Sequence, residues 1–268
     1  TKLADAEQEV EDKRPLSAME KGEIHMRAGQ FEKAVEQFKA AVAETGGTSP
    51  DALMNLAASL EASDAIPQAM HQYRKALKLQ QEASEPHVGL SDIYRRYGRG
   101  QDALRELEAA IEAEPENPYL HYRMAEALRA LSLPSKALEA VARAIVLAPD
   151  QSFYHYWNAD VQIQLKRYDD ALDSLRAAIE LSPGDDHLYI RTAVAFWGAG
   201  RHVEAIKAAQ LAGDLNPDRK AINGVLAAFL HAANRKEDYD QMRNKLDQMD
   251  DFDRDWANRQ LADVGLSV

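Results

Sequence analysis

The 268-residue chain predicts an all-α protein, a solenoid of stacked helical hairpins, and three observations predict it. Small residues recur in three parallel series: Ala34, Ala69, Ala103, Ala137, Ala171 and Ala205; Ala41, Ala76, Ala110, Ala144, Ala178 and Ala212; and Gly22, Ala57, Ser91, Ala125, Ala159 and Ala193. Every step is 34 residues except the first of each series, which is 35. Such a period overrides any domain count drawn from length, and small side chains at recurring places mark close helix contacts. Between the markers, apolar residues recur at three and four, as in DALMNLAASLEA and DDALDSLRAAIELSPG, the spacing of an amphipathic helix. Glycines at 29, 98 and 200 and prolines at 115, 149, 183 and 217 fall where a hairpin turn and a repeat end need them.

Taken in order, residues 1–14 (TKLADAEQEVEDKR) are charged and weakly periodic, and are expected as an N-terminal arm or leading helix. Six full repeats follow at about 15–49, 50–83, 84–117, 118–151, 152–185 and 186–218. Residues 219–268 hold a degenerate seventh repeat, traced through Val225, Leu226, Ala227, Phe229 and Leu230, with Tyr239 in place of the second-helix alanine. A last short helix is expected from near Asp253, with Trp256 and Leu261 available to cover the exposed core. Stacked repeats need atypical terminal units to stay soluble, so this region reads as a cap.

Composition narrows the function. A net charge of −12 and a pI near 5.2 argue against a nucleic-acid binder, which needs a basic face. No cysteine is present, which removes disulfides, thiolate metal sites and thiol nucleophiles. No apolar run approaches the roughly 18 residues that would span a bilayer, so direct membrane insertion is not expected. The expected setting is soluble and cytoplasmic, with periplasmic or membrane-peripheral settings left open because a segment can precede Thr1. There is no HExxH, Walker loop or GxSxG, and the GxG at Gly98 and Gly100 is explained by its turn. The chain is therefore expected to be a non-enzyme without cofactor or metal. His87, His121 and His155 share one repeat position, where a metal ladder is the sharp reading and packing the bland one.

These 34-residue units resemble the tetratricopeptide repeat. The first-helix pattern appears in degenerate form as Leu53, Leu56, Ala57 and Leu60, or as His87, Leu90, Ser91 and Tyr94. The second-helix pair of alanine and aromatic appears as Ala34 with Phe38 and Ala69 with Tyr73, and the closing proline is replaced by Gly46 and Gln81 in the first two repeats. The resemblance implies a right-handed superhelical solenoid whose first helices line a concave groove, and a protein–protein interaction scaffold that binds a peptide segment of a partner. The family's carboxylate clamp for acidic C-terminal tails is not implied, since its positions hold Met19, Glu23, Glu85 and Gly89, and only Asn55 matches.

On a helix with about 100° per residue, His121, Met124, Ala125 and Leu128 form the packing stripe, and the stripe carrying Tyr119, Tyr122 and Arg129 looks elsewhere. The resemblance places that second stripe in the groove. Collected over the repeats with its flanks, the candidate partner-binding set is Asn55, Arg95, Arg96, Tyr119, Tyr122, Arg123, Arg129, Phe153, Tyr156, Trp157, His187, Ile190, Arg191 and Trp197. Aromatics and arginines dominate binding hot spots, so the expected ligand is a protein or peptide with aromatic or aliphatic and acidic groups. Two other readings stay open: the arginines pair in ladders with Asp92, Glu126 and Asp160, and the tyrosines pack between first helices. A structural subunit or assembly factor, joined through its outer face or caps to a multiprotein complex or homo-oligomer, is the alternative function. Asn158, Gln162 and Thr192 stand where apolar residues are expected and need hydrogen-bond partners, and Gly213 replaces a branched aliphatic.

Overall fold

The computed structural model describes residues 15–247 and 253–268, so the expected arm at 1–14 lies outside the described residues. It contains fifteen α-helices and one 3-10 turn, with no strand among the described residues. The chain divides between Glu116 and Asn117 into two compact units.

The first unit is three hairpins: α1 (Ala18–Arg27) with α2 (Phe31–Glu44), α3 (Pro50–Ala62) with α4 (Ile66–Leu79), and α5 (Glu85–Arg96) with α6 (Gly100–Ala113). Local chemistry starts these helices. Ser17 and Glu20 form a capping box, the Glu20 N–H donating to Ser17 Oγ at 3.2 Å and the Ser17 N–H to Glu20 Oε2 at 2.8 Å. Ser49 caps α3, which opens on Pro50.

The second unit holds α7 (Pro118–Ala130) with α8 (Pro134–Leu147), α9 (Ser152–Gln164) with α10 (Tyr168–Leu181), and α11 (Asp186–Gly198) with α12 (His202–Leu215). A seventh hairpin of α13 (Lys220–Ala232) and α14 (Lys236–Asp247) follows, then α15 (Arg254–Leu261), which runs into a 3-10 turn at Ala262–Val264. Asn117 caps α7 and Asp185 caps α11, each carboxyl or amide oxygen accepting a backbone N–H two residues on.

All eighteen positions of the three small-residue series are buried, which is why nothing larger recurs there. At Gly22 even a methyl would be too much, since a Cβ would stand 2.5 Å from the ring of Phe38. The turn inside each hairpin is equally regular. A residue with positive φ occurs at Gly29, Asp64, Gly98, Ser132, Lys166, Gly200 and Asn234. The residue after it donates its N–H five positions back in every case, as Gln30 does to His25 O at 2.9 Å and Arg167 to Gln162 O at 2.9 Å. That is the Schellman closure, in which a left-handed residue lets the chain satisfy the last carbonyls of the helix.

The polar residues of the fifth and sixth repeats find partners. Asn158 Nδ2 donates to Ser174 Oγ at 2.9 Å, Ser174 donates to Gln162 Oε1 at 2.8 Å, and Thr192 donates to the Leu188 carbonyl at 2.8 Å. Helix α13 is buried at every position from Ala221 to Leu230, whereas α14 buries none of its residues. The last helix explains part of that difference. It covers the first helices α11 and α13, with Ala257 and Leu261 fully buried, and does not continue the stack along α14.

Candidate functional site

In the first unit, the candidate residues sit among paired charges. Arg96 on α5 donates to Glu61 Oε1 on α3 at 3.2 Å, and the same carboxylate accepts the Tyr73 hydroxyl of α4 at 3.2 Å. Burial raises the pKa of Glu61, and the Tyr73 hydrogen bond and the Arg96 charge reverse only part of that rise. Arg95 donates to Asp92 at 3.3 Å, and Asn55 is half-buried.

In the second unit, α7 and α9 bring rings together. Tyr122 lies at the centre, edge-on to Phe153 with centroids 4.9 Å apart and to Trp157 at 5.1 Å, with Tyr119 at 6.0 Å and Tyr154 at 6.2 Å. These are the distances at which ring quadrupoles attract beyond simple burial. The helical spacing makes the group: Tyr119 and Tyr122 share a face at three apart, Phe153 and Trp157 at four. Arginines hold the rings. The Arg129 guanidinium lies 4.5 Å over Trp157, and Arg123 lies 5.6 Å over Tyr119 while its Nη1 donates to the Tyr119 hydroxyl oxygen at 2.8 Å. The outer rim remains open, with Tyr119 45% and Phe153 46% exposed. Burial raises the pKa values of Tyr122, Tyr154 and Tyr156 above the ordinary tyrosine value.

From this cluster a chain of charges runs toward the C-terminus. Arg129 Nη1 donates to Asp160 Oδ2 at 2.9 Å, Asp160 pairs with Arg191 at 2.5 Å, and Arg191 Nη2 reaches Asp263 at 2.9 Å. Arg191 is only 4% exposed. Burial opposes its charge, but Asp160 and Asp263 outweigh that penalty and raise its pKa. Its Nε has no hydrogen-bond partner.

The candidate set therefore divides. Tyr119, Tyr122, Arg123, Arg129, Phe153 and Trp157 come together on one face. Other candidates are drawn into packing: Ile190 is fully buried, and Trp197 is stacked against His202 at 4.1 Å and Phe229 at 4.8 Å. Tyr156 packs against the core of the unit, and His187 meets Trp256 edge-on at 5.8 Å. The physical reason is that a stripe drawn on one helix ignores what later segments lay over it, here α13 and α15. The ladder reading of the arginines describes what forms, since Arg95, Arg123 and Arg129 pair with Asp92, Glu126 and Asp160. The candidate set lacks Tyr154, Arg219, Trp256 and Asp263. Tyr154 carries a sequence signal as an extra ring beside Phe153, and Trp256 one as a capping residue, whereas Arg219 and Asp263 carry none. A cleft of about 240 Å³ lies beside the cluster, lined by Ser152, Phe153, Tyr156, Asp185, His187 and Leu188.

Among the described residues no group of three or more histidines and acids is placed to hold a metal. Among the periodic histidines, His87 pairs with Glu106 at 2.7 Å and His155 with the Pro149 carbonyl at 2.8 Å. No helix among the described residues is long and apolar enough to cross a membrane.

Two sequence profiles described as tetratricopeptide repeat match the chain, one over residues 19–86 and 88–152 and the other over 162–229. The chain belongs to the tetratricopeptide repeat family. Such repeats are non-catalytic interaction modules, and the TPR array makes this chain a protein–protein interaction scaffold. A search of curated proteins by sequence finds no match. Among solved structures the TPR fold recurs in YrrB, described as a TPR protein with an unusual peptide-binding site, at 24% identity and a TM-score of 0.57, covering 75% of this chain and 99% of that one. It recurs in MamA of Desulfovibrio magneticus RS-1, at 24% identity and a TM-score of 0.55, covering 61% and 92% of the two chains. PilF of Pseudomonas aeruginosa follows at 18% identity and a TM-score of 0.60, covering 75% and 91%. At these identities the likeness is one of fold.

Proposed function

We propose that this TPR protein is a non-catalytic adaptor that binds a peptide segment of a partner protein on the α7–α9 face. The observation that carries this reading is the ring cluster of Tyr119, Tyr122, Phe153 and Trp157, in which ring contacts around Tyr122 leave the rim rings Tyr119 and Phe153 about half exposed. Rigid aromatics bury much area at small entropic cost, so they make efficient anchors. The arginines stack on the rings and pair with the chain's own acids, so the main chemistry offered to a partner is aromatic and aliphatic. Peptide binding by the similarly folded YrrB supports the same reading.

A second reading rests on a different observation. Helix α12 exposes Val203, Leu211 and Leu215 at 59%, 51% and 44%, on one side of the helix. That stripe fits a structural subunit or assembly factor that joins a complex through its outer face. Site-specific photo-crosslinking separates the two. A photoreactive phenylalanine analogue at position 153 is expected to give protein adducts in the native host, and the same group at 203 is not. Adducts from 203 alone would favour the second reading.

A further inference from the structure

The placement of α15 is not that of another stacked helix. Within the second unit, the first helix of each later hairpin packs on the second helix before it, α9 on α8, α11 on α10 and α13 on α12. Helix α15 departs from this rule and lies instead on the first helices α11 and α13, with its 3-10 turn also against α11. That is the side where the Arg191 and His187 side chains emerge.

The contacts are those of a ligand. Ala257 and Leu261 are fully buried in a core that includes Ile190, Val194, Val225 and Phe229, with Trp256, Val264, Leu266 and Val268 packed against it. Asp263 supplies a carboxylate to the nearly buried Arg191 guanidinium from 72 residues away. Trp256 lies 4.4 Å under the Arg219 guanidinium and meets His187 edge-on. Eight residues are too few for a helix to hold its shape alone in water, so α15 depends on the face it covers. The preceding helix α14 has no fully buried residue, and only its Tyr239 and Met242 pack, partly buried, against the same core.

We propose that the α11–α13 face is a binding site for an amphipathic acidic helical segment of a partner protein, and that residues 253–268 occupy it when that partner is absent. The site takes two small or aliphatic residues one helical turn apart into its core, an aromatic ring onto Arg219 and His187, and one carboxylate onto Arg191. This goes beyond the α7–α9 reading and stands on different residues. The tail acts as a tethered competitor, so a partner must outbid it and the apparent affinity falls by the fraction of open face.

The probe is a synthetic peptide, DRDWANRQLADVGLSV, labelled at its N-terminus and titrated by fluorescence anisotropy into full-length protein. Wild type is compared with L261D/D263R, which puts a charge on the buried side of the tail and reverses the one facing Arg191, leaving every residue of the α11–α13 face native. The variant is expected to bind at least about tenfold tighter than wild type, and the same peptide carrying D263N is expected to lose about tenfold on the variant. Equal binding to both proteins, or none to the variant, would overturn the proposal. So would loss of the cooperative thermal transition in the variant, which would make the tail an integral part of the fold, or a wild-type dimer with exchanged tails, which would give the site to a second copy. Alanine at Tyr122 and Trp157 leaves this titration unchanged, so failure here and failure of the α7–α9 reading are seen separately.

Discussion

Lys166 holds a φ of 58° at the turn between α9 and α10, a conformation that costs an L-residue with a Cβ roughly 1–2 kcal/mol. Lys166→Gly is therefore expected to stabilise the protein by about 0.5–1 kcal/mol, the gain being limited by the extra freedom glycine has when unfolded. Gly213 is the opposite case. It lies inside α12, and a Cβ there would meet only Ile222 Cγ2 at 3.8 Å, an ordinary contact. Gly213→Ala should also stabilise, by about 0.5–1 kcal/mol from helix propensity. Thermal and urea midpoints check both, and a lowered midpoint in either would contradict the local account. These positions show what a single residue reveals. Glycines 29, 98 and 200 announced their turns and Asp64 and Asn234 favour the same left-handed conformation more weakly, but Ser132 and Lys166 do not, so the turn there is legible only by counting from its neighbours.

Pairs of helices were legible because their contacts repeat. The three small-residue series mark the hairpin interfaces, and all are buried, since each repeat solves the same packing problem. One interhelical contact also gives a pH dependence. The Tyr73 hydroxyl on α4 donates to Glu61 on α3, and burial is the first cause that pushes the Tyr73 pKa well above its ordinary 10.0, with the Glu61 charge next. The pKa values of Tyr122, Tyr154 and Tyr156 are raised as well. A group whose folded pKa is raised gives stability that is complete below its unfolded pKa and lost as pH rises toward the folded one. Stability should therefore be flat to about pH 9 and fall above about pH 10, where the unfolded chain releases protons that the folded chain retains. Tyr73→Phe removes one such group, so its urea midpoint should fall less between pH 9 and 11 than that of the wild type, despite a cost of about 1 kcal/mol at neutral pH from the lost hydrogen bond. An equal fall in both would contradict the assignment. Helix α15 shows the limit of periodic reading at this scale. Its existence was legible from Asp253 onward, but its seat on α11 and α13 rests on a pairing of Arg191 with Asp263 that belongs to no repeat.

For the whole molecule, the scaffold and the surface were written in different ways. A strongly acidic chain without cysteine, with one motif repeated through most of its length, left little but an interaction protein to predict. Which side chains remain open was harder to read, because openness depends on what later segments cover. Ile190 and Trp197 share the helical stripe of the open rings, yet Ile190 is fully buried and Trp197 partly so, while Tyr119 and Phe153 stay half exposed. The departures from the repeat carried most of the information: Trp157 where the previous repeat has Arg123, and a tail that leaves the stack. The central claim is that the ring cluster on α7 and α9 anchors a partner's peptide. Its most direct test is the affinity of peptides selected from a displayed random library on the intact protein, measured against Tyr122→Ala/Trp157→Ala and against Val203→Asp. The account predicts that the double variant loses at least about thirtyfold in affinity, the scale of a hot spot worth about 2 kcal/mol, while Val203→Asp binds as the wild type does and both variants keep their helicity. Full affinity in the double variant would contradict it.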